Sequence, residues 1–195
     1  MIIVAYYTPD YKVDYDKYLR PSWDKVDIKR EIIEVPDRGN WSLNTFYTPS
    51  IIRKMLDKYP EDAIVKVGVD AHIYERPQLL FDIEKDNDCD VAITYRSQDP
   101  ITHPECSTVL VMNNAKGRLF CDMWDKACEE KAKNLTMVIS DMEVLWTVMD
   151  VLMAHVKFRK IPISYGQSWH FNKKELGIPI IEEFRSSWNH DRNRI

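Results

Sequence analysis

The sequence predicts an α/β fold with a largely parallel central sheet. Three observations carry this. Short apolar runs that read as strands alternate with longer segments of helical periodicity, the pattern that builds parallel sheets through crossover helices. Several of the runs, MIIVAYY and AIVKVGV among them, are almost continuously apolar, as strands buried on both faces are. The chain has 195 residues and no repeat, low-complexity tract or long linker, which favours one domain over 1–195.

The elements follow in order. The opening strand runs to Tyr7 and closes on the turn residues Thr8, Pro9 and Asp10. Asp14 to Trp23 is expected to be a mixed helical stretch that Pro21 interrupts. IKREIIEVP alternates apolar and polar residues and predicts a second strand, and DRGNWSLNT, rich in turn formers, predicts a loop. Pro49 suits the first position of the helix PSIIRKMLDKYP, with Thr48 as its cap and Pro60 as its stop. AIVKVGVD predicts the next strand. QLLFDIEKD follows Pro77 as a helical or mixed segment, DCDVAITYR is a strand, and STVLVMNN is a strand ending on two asparagines. AKGRLFCDMWDKACEEKAKN is amphipathic and helical. ISDMEVLWTVMDVLM predicts one further helix, opened by a capping box of Ser140 and Glu143. FRKIPISYG is the last expected strand, and an irregular tail begins at about 172.

Composition excludes several function classes. A formal net charge of −4 gives no global electrostatic footprint for nucleic acid, although Arg185 to Arg194 form a local basic spot. The four cysteines, Cys89, Cys106, Cys121 and Cys128, form no CxxC pair, so zinc-ribbon and thioredoxin-like readings fail. They are expected to be reduced thiols in a cytoplasm. The N-terminus lacks the charges of a signal peptide, and no stretch approaches the ~20 apolar residues of a membrane span. With five glycines the chain has no GxGxxG after its first strand, no GxxxxGK[ST] and no GxSxG elbow. A bound nucleotide must therefore be held by aromatic stacking, polar side chains and a cation.

In open α/β sheets ligands sit outside the carboxyl ends of the strands. Four expected strand ends carry polar chemistry: Tyr6-Tyr7-Thr8, Asp70-Ala71-His72, Tyr95-Arg96 and Asn113-Asn114. Their convergence is the main pointer to a site.

The stretch VGVDAHIYERPQLLFD resembles nucleotide-sugar transferases of the GT-A type, in which a hydrophobic strand runs into an Asp-x-Asp motif and a turn with proline. It is most similar to small glycosyltransferase-like proteins of phages and bacteria. The resemblance extends over nearly the whole chain: Tyr7-Thr8-Pro9, the loop from Asp37 to Thr45, Lys58-Tyr59-Pro60, the strand from Ser107 to Asn114, Trp124 in the next helix, and Ser140-Asp141-Met142-Glu143 where the family usually opens a helix with Asp-Gln. It implies one GT-A-like α/β/α domain with a twisted, mostly parallel sheet. It also implies transfer of a sugar from a nucleoside-diphosphate sugar, with a divalent cation, Mn²⁺ or Mg²⁺.

The same resemblance assigns roles. Asp70 is the expected metal ligand, and its bland use is to cap a turn at the strand end. His72 stands where the family has its second acid. The segment Ile180 to Ser187 looks like the family's C-terminal ligand segment, with Glu183 at the position of a histidine. Acid and histidine thus look exchanged between the two motifs, and His170 and His190 are rival ligands. Asp141 is the candidate catalytic carboxylate, in a place that also suits a helix N-terminus. Tyr6, Tyr7 and Thr8 are expected at the nucleobase, although at least one of the tyrosines also fits the core. Arg38 and Asn44 are expected at phosphate or ribose, Trp41 at the sugar, Asn113 and Asn114 at sugar hydroxyls, and Trp169 with His170 over the diphosphate. The family often has Lys where Thr48 stands, and Arg38 or Arg53 is the expected substitute. The acceptor is open: nucleic acid such as a modified phage base, which places the protein in a host cytoplasm, or else protein or glycan. Two other classes remain: a non-catalytic GT-A-like module that binds nucleotide or glycan, and a nucleotidyltransferase, which TPDYKVDYDKY disfavours because it has no glycine.

Overall fold

The computed structural model describes residues 1–95, 103–168 and 178–184. In chain order the strands are β1 (Ile2–Tyr7), β2 (Arg30–Glu34), β3 (Ile64–Val67), β4 (Ala71–Ile73), β5 (Val91–Thr94), β6 (Glu105–Val111), β7 (Phe158–Ile161), β8 (Gln167–Ser168) and β9 (Ile181–Glu183). Six of them form one sheet in the order β2-β1-β3-β6-β5-β7, and β4, β9 and β8 form a small second sheet. β1 pairs parallel with β2 and β3, and β5 parallel with β7. Only β6 runs against its neighbours in the central sheet. The sheet is therefore mostly parallel, as expected, with one reversed strand near its middle.

That reversal corrects the expected convergence of four strand ends. Ile64, which opens β3, faces Val111, which closes β6. Asn113 and Asn114 consequently lie at the opposite edge of the sheet from Asp70. There they build structure. Asn113 donates through Nδ2 to the carbonyls of Leu56 and Tyr59 at 2.7 and 2.9 Å. Asn114 accepts from the amides of Lys116 and Gly117 as a helix cap and donates to Asp90.

The helices are α1 (Lys12–Asp14), α2 (Arg20–Trp23), α3 (Trp41–Thr45), α4 (Thr48–Lys58), α5 (Gln78–Asp86), α6 (Ala115–Lys133), α7 (Asp141–Trp146) and α8 (Met149–His155). Tyr15–Leu19 is a π-helical turn between α1 and α2, so helix runs from Lys12 to Trp23 and Pro21 does not interrupt it. Pro21 lies just past the π-helical turn, the kind of local widening found where the regular α-helical ladder is interrupted. The expected loop at Asn40 contains α3, because the Asn40 side chain accepts from Ser42 and Leu43 and caps it. Thr48 lies inside α4 rather than capping it, and its hydroxyl bonds Thr45 O instead. The single helix expected from Ser140 onward breaks at Thr147 and Val148 into α7 and α8. The capping box is present, with Glu143 accepting from the Ser140 amide at 2.8 Å.

Alternation along β1, β3 and β6 feeds two cores. Ile2, Val4, Ile64, Val109 and Val111 pack against α4, α6, α7 and α8 through Leu56, Phe120, Trp124, Leu145 and Leu152. Ile3, Ala5, Val65, Val67 and Leu110 pack against Leu19, Trp23, Leu80 and Ile83, and against Ile73 and Ile181 of the small sheet. Both faces are covered, which is why the strands read as continuous apolar runs. All four cysteines are buried and unbridged.

Gly117 lies in the first turn of α6, against the end of β6. A Cβ there would overlap the Met112 carbonyl oxygen and stand 3.0 Å from Val111 Cγ1. In an exposed helix interior Gly→Ala gains up to ~1 kcal/mol. Here Gly117→Ala is expected to cost about 1–3 kcal/mol through overpacking against backbone, read as a lower urea midpoint at unchanged slope.

Candidate active site

The C-terminal ends of β1 and β3 and the N-terminal end of β6 open into one cleft of about 410 Å³. That volume suits a small-molecule ligand. The reversed strand β6 contributes its beginning, Glu105, Cys106 and Ser107.

One wall is made where the chain leaves the main sheet. After β3, Gly68 to Asp70 form a turn in which the Ala71 amide donates to Gly68 O at 3.2 Å. β4 then pairs antiparallel with β9, with Ala71 opposite Glu183 and His72 opposite Glu182. The Phe184 amide donates to Asp70 O at 3.1 Å and fixes the junction. This folds Glu183 back over the strand end. A Cβ on Gly68 would overlap Glu183 Oε1 and lie 2.9 Å from Asp70 Oδ1, so the two carboxylates converge over a residue that has no side chain.

The same alternation sends His72 elsewhere. Its ring packs on Tyr74 at 4.5 Å, next to Glu182, whose carboxylate accepts the Tyr74 hydroxyl at 2.6 Å. Burial holds the His72 imidazole below its ordinary range, ahead of its backbone hydrogen bond at Tyr18. His72 does not line the cleft. Asp70 and Glu183 are brought together, and the mixed oxygen and imidazole pair is not.

A divalent cation fits the oxygen pair. Among the described residues no group of three His, Cys, Asp or Glu side chains gathers into a full ligand set. Mg²⁺, however, commonly takes one or two carboxylates and completes its shell with water and substrate phosphate.

Asp141 forms the opposing wall, at the first position of α7. Three contacts lock its backbone. Its carbonyl accepts from Trp124 Nε1 at 2.9 Å, its amide donates to Thr45 Oγ1 at 3.1 Å, and Ser140 caps the helix beside it. Asp141 is 7% exposed as a residue, and its buried Oδ2 has no hydrogen-bond partner. Burial raises its pKa, opposed first by the charge of Lys66 and then by the Thr48 hydroxyl.

Aromatic side chains line the rest. The Tyr6 hydroxyl is braced at 2.9 Å from Thr48 Oγ1 and 3.0 Å from Thr45 O, and burial pushes its pKa well up. Tyr7 stacks on Tyr15 at 5.6 Å between centroids and donates to Glu34. Thr8, Tyr11, Trp41 and Asn44 also line the cleft. Much of Asn44's bonding goes to its own loop: its amide group donates to Asp37 and its Oδ1 accepts from the Arg38 amide. Arg38 lies over Tyr47 at 3.6 Å and donates to Leu43 O, away from the cleft lining. Arg53 pairs with Asp57 and Asp122, also away from it. Arg96, Trp169, His170 and His190 lie outside the described residues.

Sequence reasoning passed over Lys66, Gly68, Glu105, Cys106 and Ser107. The reversed direction of β6 hid the last three. Lys66 did leave a signal: it is a charge inside a run that otherwise reads as a fully buried strand.

No protein-family model matches this sequence, and no curated protein sequence is detectably similar to it. Solved structures share its fold. A glycosyltransferase involved in glycosylation of the major capsid of PBCV-1 superposes with a TM-score of 0.70 at 8% identity, over 94% of this chain and 92% of that one. The glycosyltransferase GlyE of Streptococcus pneumoniae TIGR4 gives 0.66 at 13% identity, over 99% of this chain and 58% of that one. The galactosyltransferase LgtC, solved with donor and acceptor sugar analogues, gives 0.57 at 7% identity, over 95% and 87%. At such identities the likeness establishes the fold.

Because burial raises the Asp141 pKa, the folded chain holds that proton more tightly than the unfolded chain does. Stability is then lost as pH rises above the unfolded carboxylate value of about 4, and the full cost is present above the folded value. Asp141→Asn is expected to raise Tm at neutral pH, by about 2–4 °C for each kcal/mol relieved. The gain should vanish as pH approaches about 4. A pH series of melting curves on both proteins checks this.

Proposed function

We propose that this chain is a glycosyltransferase that moves a sugar from a nucleoside-diphosphate sugar to a hydroxyl acceptor. A divalent cation, Mn²⁺ or Mg²⁺, would be held by Asp70 and Glu183. One observation carries the reading: two carboxylates converge over Gly68 in a cleft that the buried carboxyl of Asp141 also lines. The shared fold with three glycosyltransferases supports it.

Such a reaction needs two charges managed. When bound, the cation neutralises the diphosphate as it departs. Asp141 faces the other charge. Its carboxylate accepts the acceptor's hydroxyl proton while that oxygen bonds to the anomeric carbon, and the diphosphate leaves with the electron pair of the broken C–O bond. The lack of a hydrogen-bond partner leaves Oδ2 available as acceptor. Trp41, Tyr7 and Tyr11 offer aromatic faces to sugar and base. Among the described lining residues Asp70, Glu105, Asp141, Glu143 and Glu183 stand against one cation, Lys66. A nucleic-acid acceptor would bring its phosphates up to those carboxylates, whereas a protein or glycan hydroxyl would not.

A melting-temperature panel of nucleoside diphosphates and nucleotide sugars, with and without Mn²⁺, tests the reading. At a hundredfold excess over Kd one nucleotide should stabilise by about 2.7 kcal/mol, on the order of 5–10 °C. The effect should require metal and disappear in Asp70→Ala. Gly68→Ala should abolish it as well, because the new methyl displaces both carboxylates while the strands remain. Binding without release of nucleoside diphosphate in the presence of glycan or peptide hydroxyls would favour a binding module. No response from folded protein to any nucleotide would overturn the proposal.

A further inference from the structure

Lys66 sits where the sheet has no room for a charge without purpose. It is the third residue of β3, with Val4 of β1 on one side and Val109 of β6 on the other. Both neighbours are fully buried, and the row continues into Ile2, Ile64 and Val111. A lysine in such a row loses hydration that an aliphatic residue would never miss. Its stem climbs the strand toward the cleft, where Nζ donates to the Cys106 carbonyl at 3.1 Å. An ammonium has three donors, and the cleft is what lies above it. Lys66 is the one cationic side chain among the described residues of the lining, and the buried Asp141 carboxyl lines the same cleft.

We infer that Lys66 is a positioning residue for Asp141: it supplies, from the floor of the cleft, the positive charge that favours the carboxylate form of Asp141 against its burial. The importance of that carboxylate for proton transfer rests on the transferase reading above. The electrostatic link itself does not.

The other groups around Asp141 cannot replace this charge. Tyr6 on β1, Cys106 on β6 and Cys128 on α6 feel the Asp141 charge, but burial pushes all three so far up that they are neutral at physiological pH. Thr48 on α4 offers only a hydroxyl. Glu143, on the same helix as Asp141, turns its carboxylate back to the Ser140 amide and hydroxyl. The positive influence on Asp141 therefore comes from Lys66. Lys66 lies on the face of β3 that packs toward α4, α6 and α7, the side from which Asp141 enters the cleft.

The test uses substrate-free protein, so its outcome does not depend on sugar transfer. The carboxyl carbon of Asp141 is followed by ¹³C NMR across pH, with Asp141→Asn giving the assignment. Lys66→Met is expected to move the Asp141 midpoint upward by about one pH unit or more. Lys66→Arg is expected to return it close to wild type, which a merely structural role would not do. Lys66→Gln keeps a donor for the Cys106 carbonyl and carries the same test should the methionine variant fail to fold. An unchanged midpoint in a folded Met or Gln variant would overturn the inference. If the midpoint moves but no nucleotide stabilises the protein, the link stands and the transferase reading falls.

Discussion

The structure depends most on how β3 ends. This strand is hydrogen-bonded to β1 on one side and β6 on the other, and it buries side chains on both faces. At Gly68 it can no longer continue in the main sheet, because the next strand, β4, belongs to the small sheet with β9 and β8. The turn between the sheets is where the cleft forms. It presents Asp70, it leaves space at Gly68, and through β4 it recruits the C-terminal strand that bears Glu183. A side chain at position 68 would compete for the volume that the two carboxylates occupy. The absence of a Cβ there is thus a packing requirement, set by what crosses over it.

The opposing wall shows a different balance. Burying Asp141 costs solvation that no single hydrogen bond returns. The surrounding framework is correspondingly over-determined. The capping box fixes the helix start, Trp124 holds the Asp141 carbonyl, Thr45 holds its amide, and the hydroxyl of Tyr6 ties β1 to the end of α3. Binding through backbone and neighbours leaves Oδ2 of the carboxyl without a partner, so the group is held in place with one oxygen still available.

Much of this was legible beforehand. Apolar runs and, at β2, alternation located the strands of the main sheet, and the capping box located α7. What periodicity cannot encode is direction. STVLVMNN reads the same whether it runs with its neighbours or against them, and its reversal exchanged Asn113 and Asn114 for Glu105 and Ser107 at the cleft. Alternation was the missed clue at His72. Ala71 and Ile73 are core-facing, so the residue between them points outward. Asp70 was singled out because an acid at the end of a buried strand is conspicuous. Glu183 was singled out only through resemblance, since nothing local in IIEEF announces a partner so distant in sequence, and the structure places both at the cleft. Lys66 was visible and passed over, as a charge in a strand is usually on a solvated face.

The pairing of β9 with β4 also bears on when the cleft comes into being. β9 is three residues long, and its chain position follows every element of the main sheet. During synthesis the sheet, with Asp70 already at its edge, can be complete while Glu183 is still unmade or unpaired. A short strand with few contacts is also the kind of unit that opens locally without global unfolding. A ligand held by both carboxylates would favour the closed pairing by mass action. A chain clipped before β9 would lose Glu183 from the carboxylate pair, while the cleft's other lining residues, which come from earlier elements, would remain.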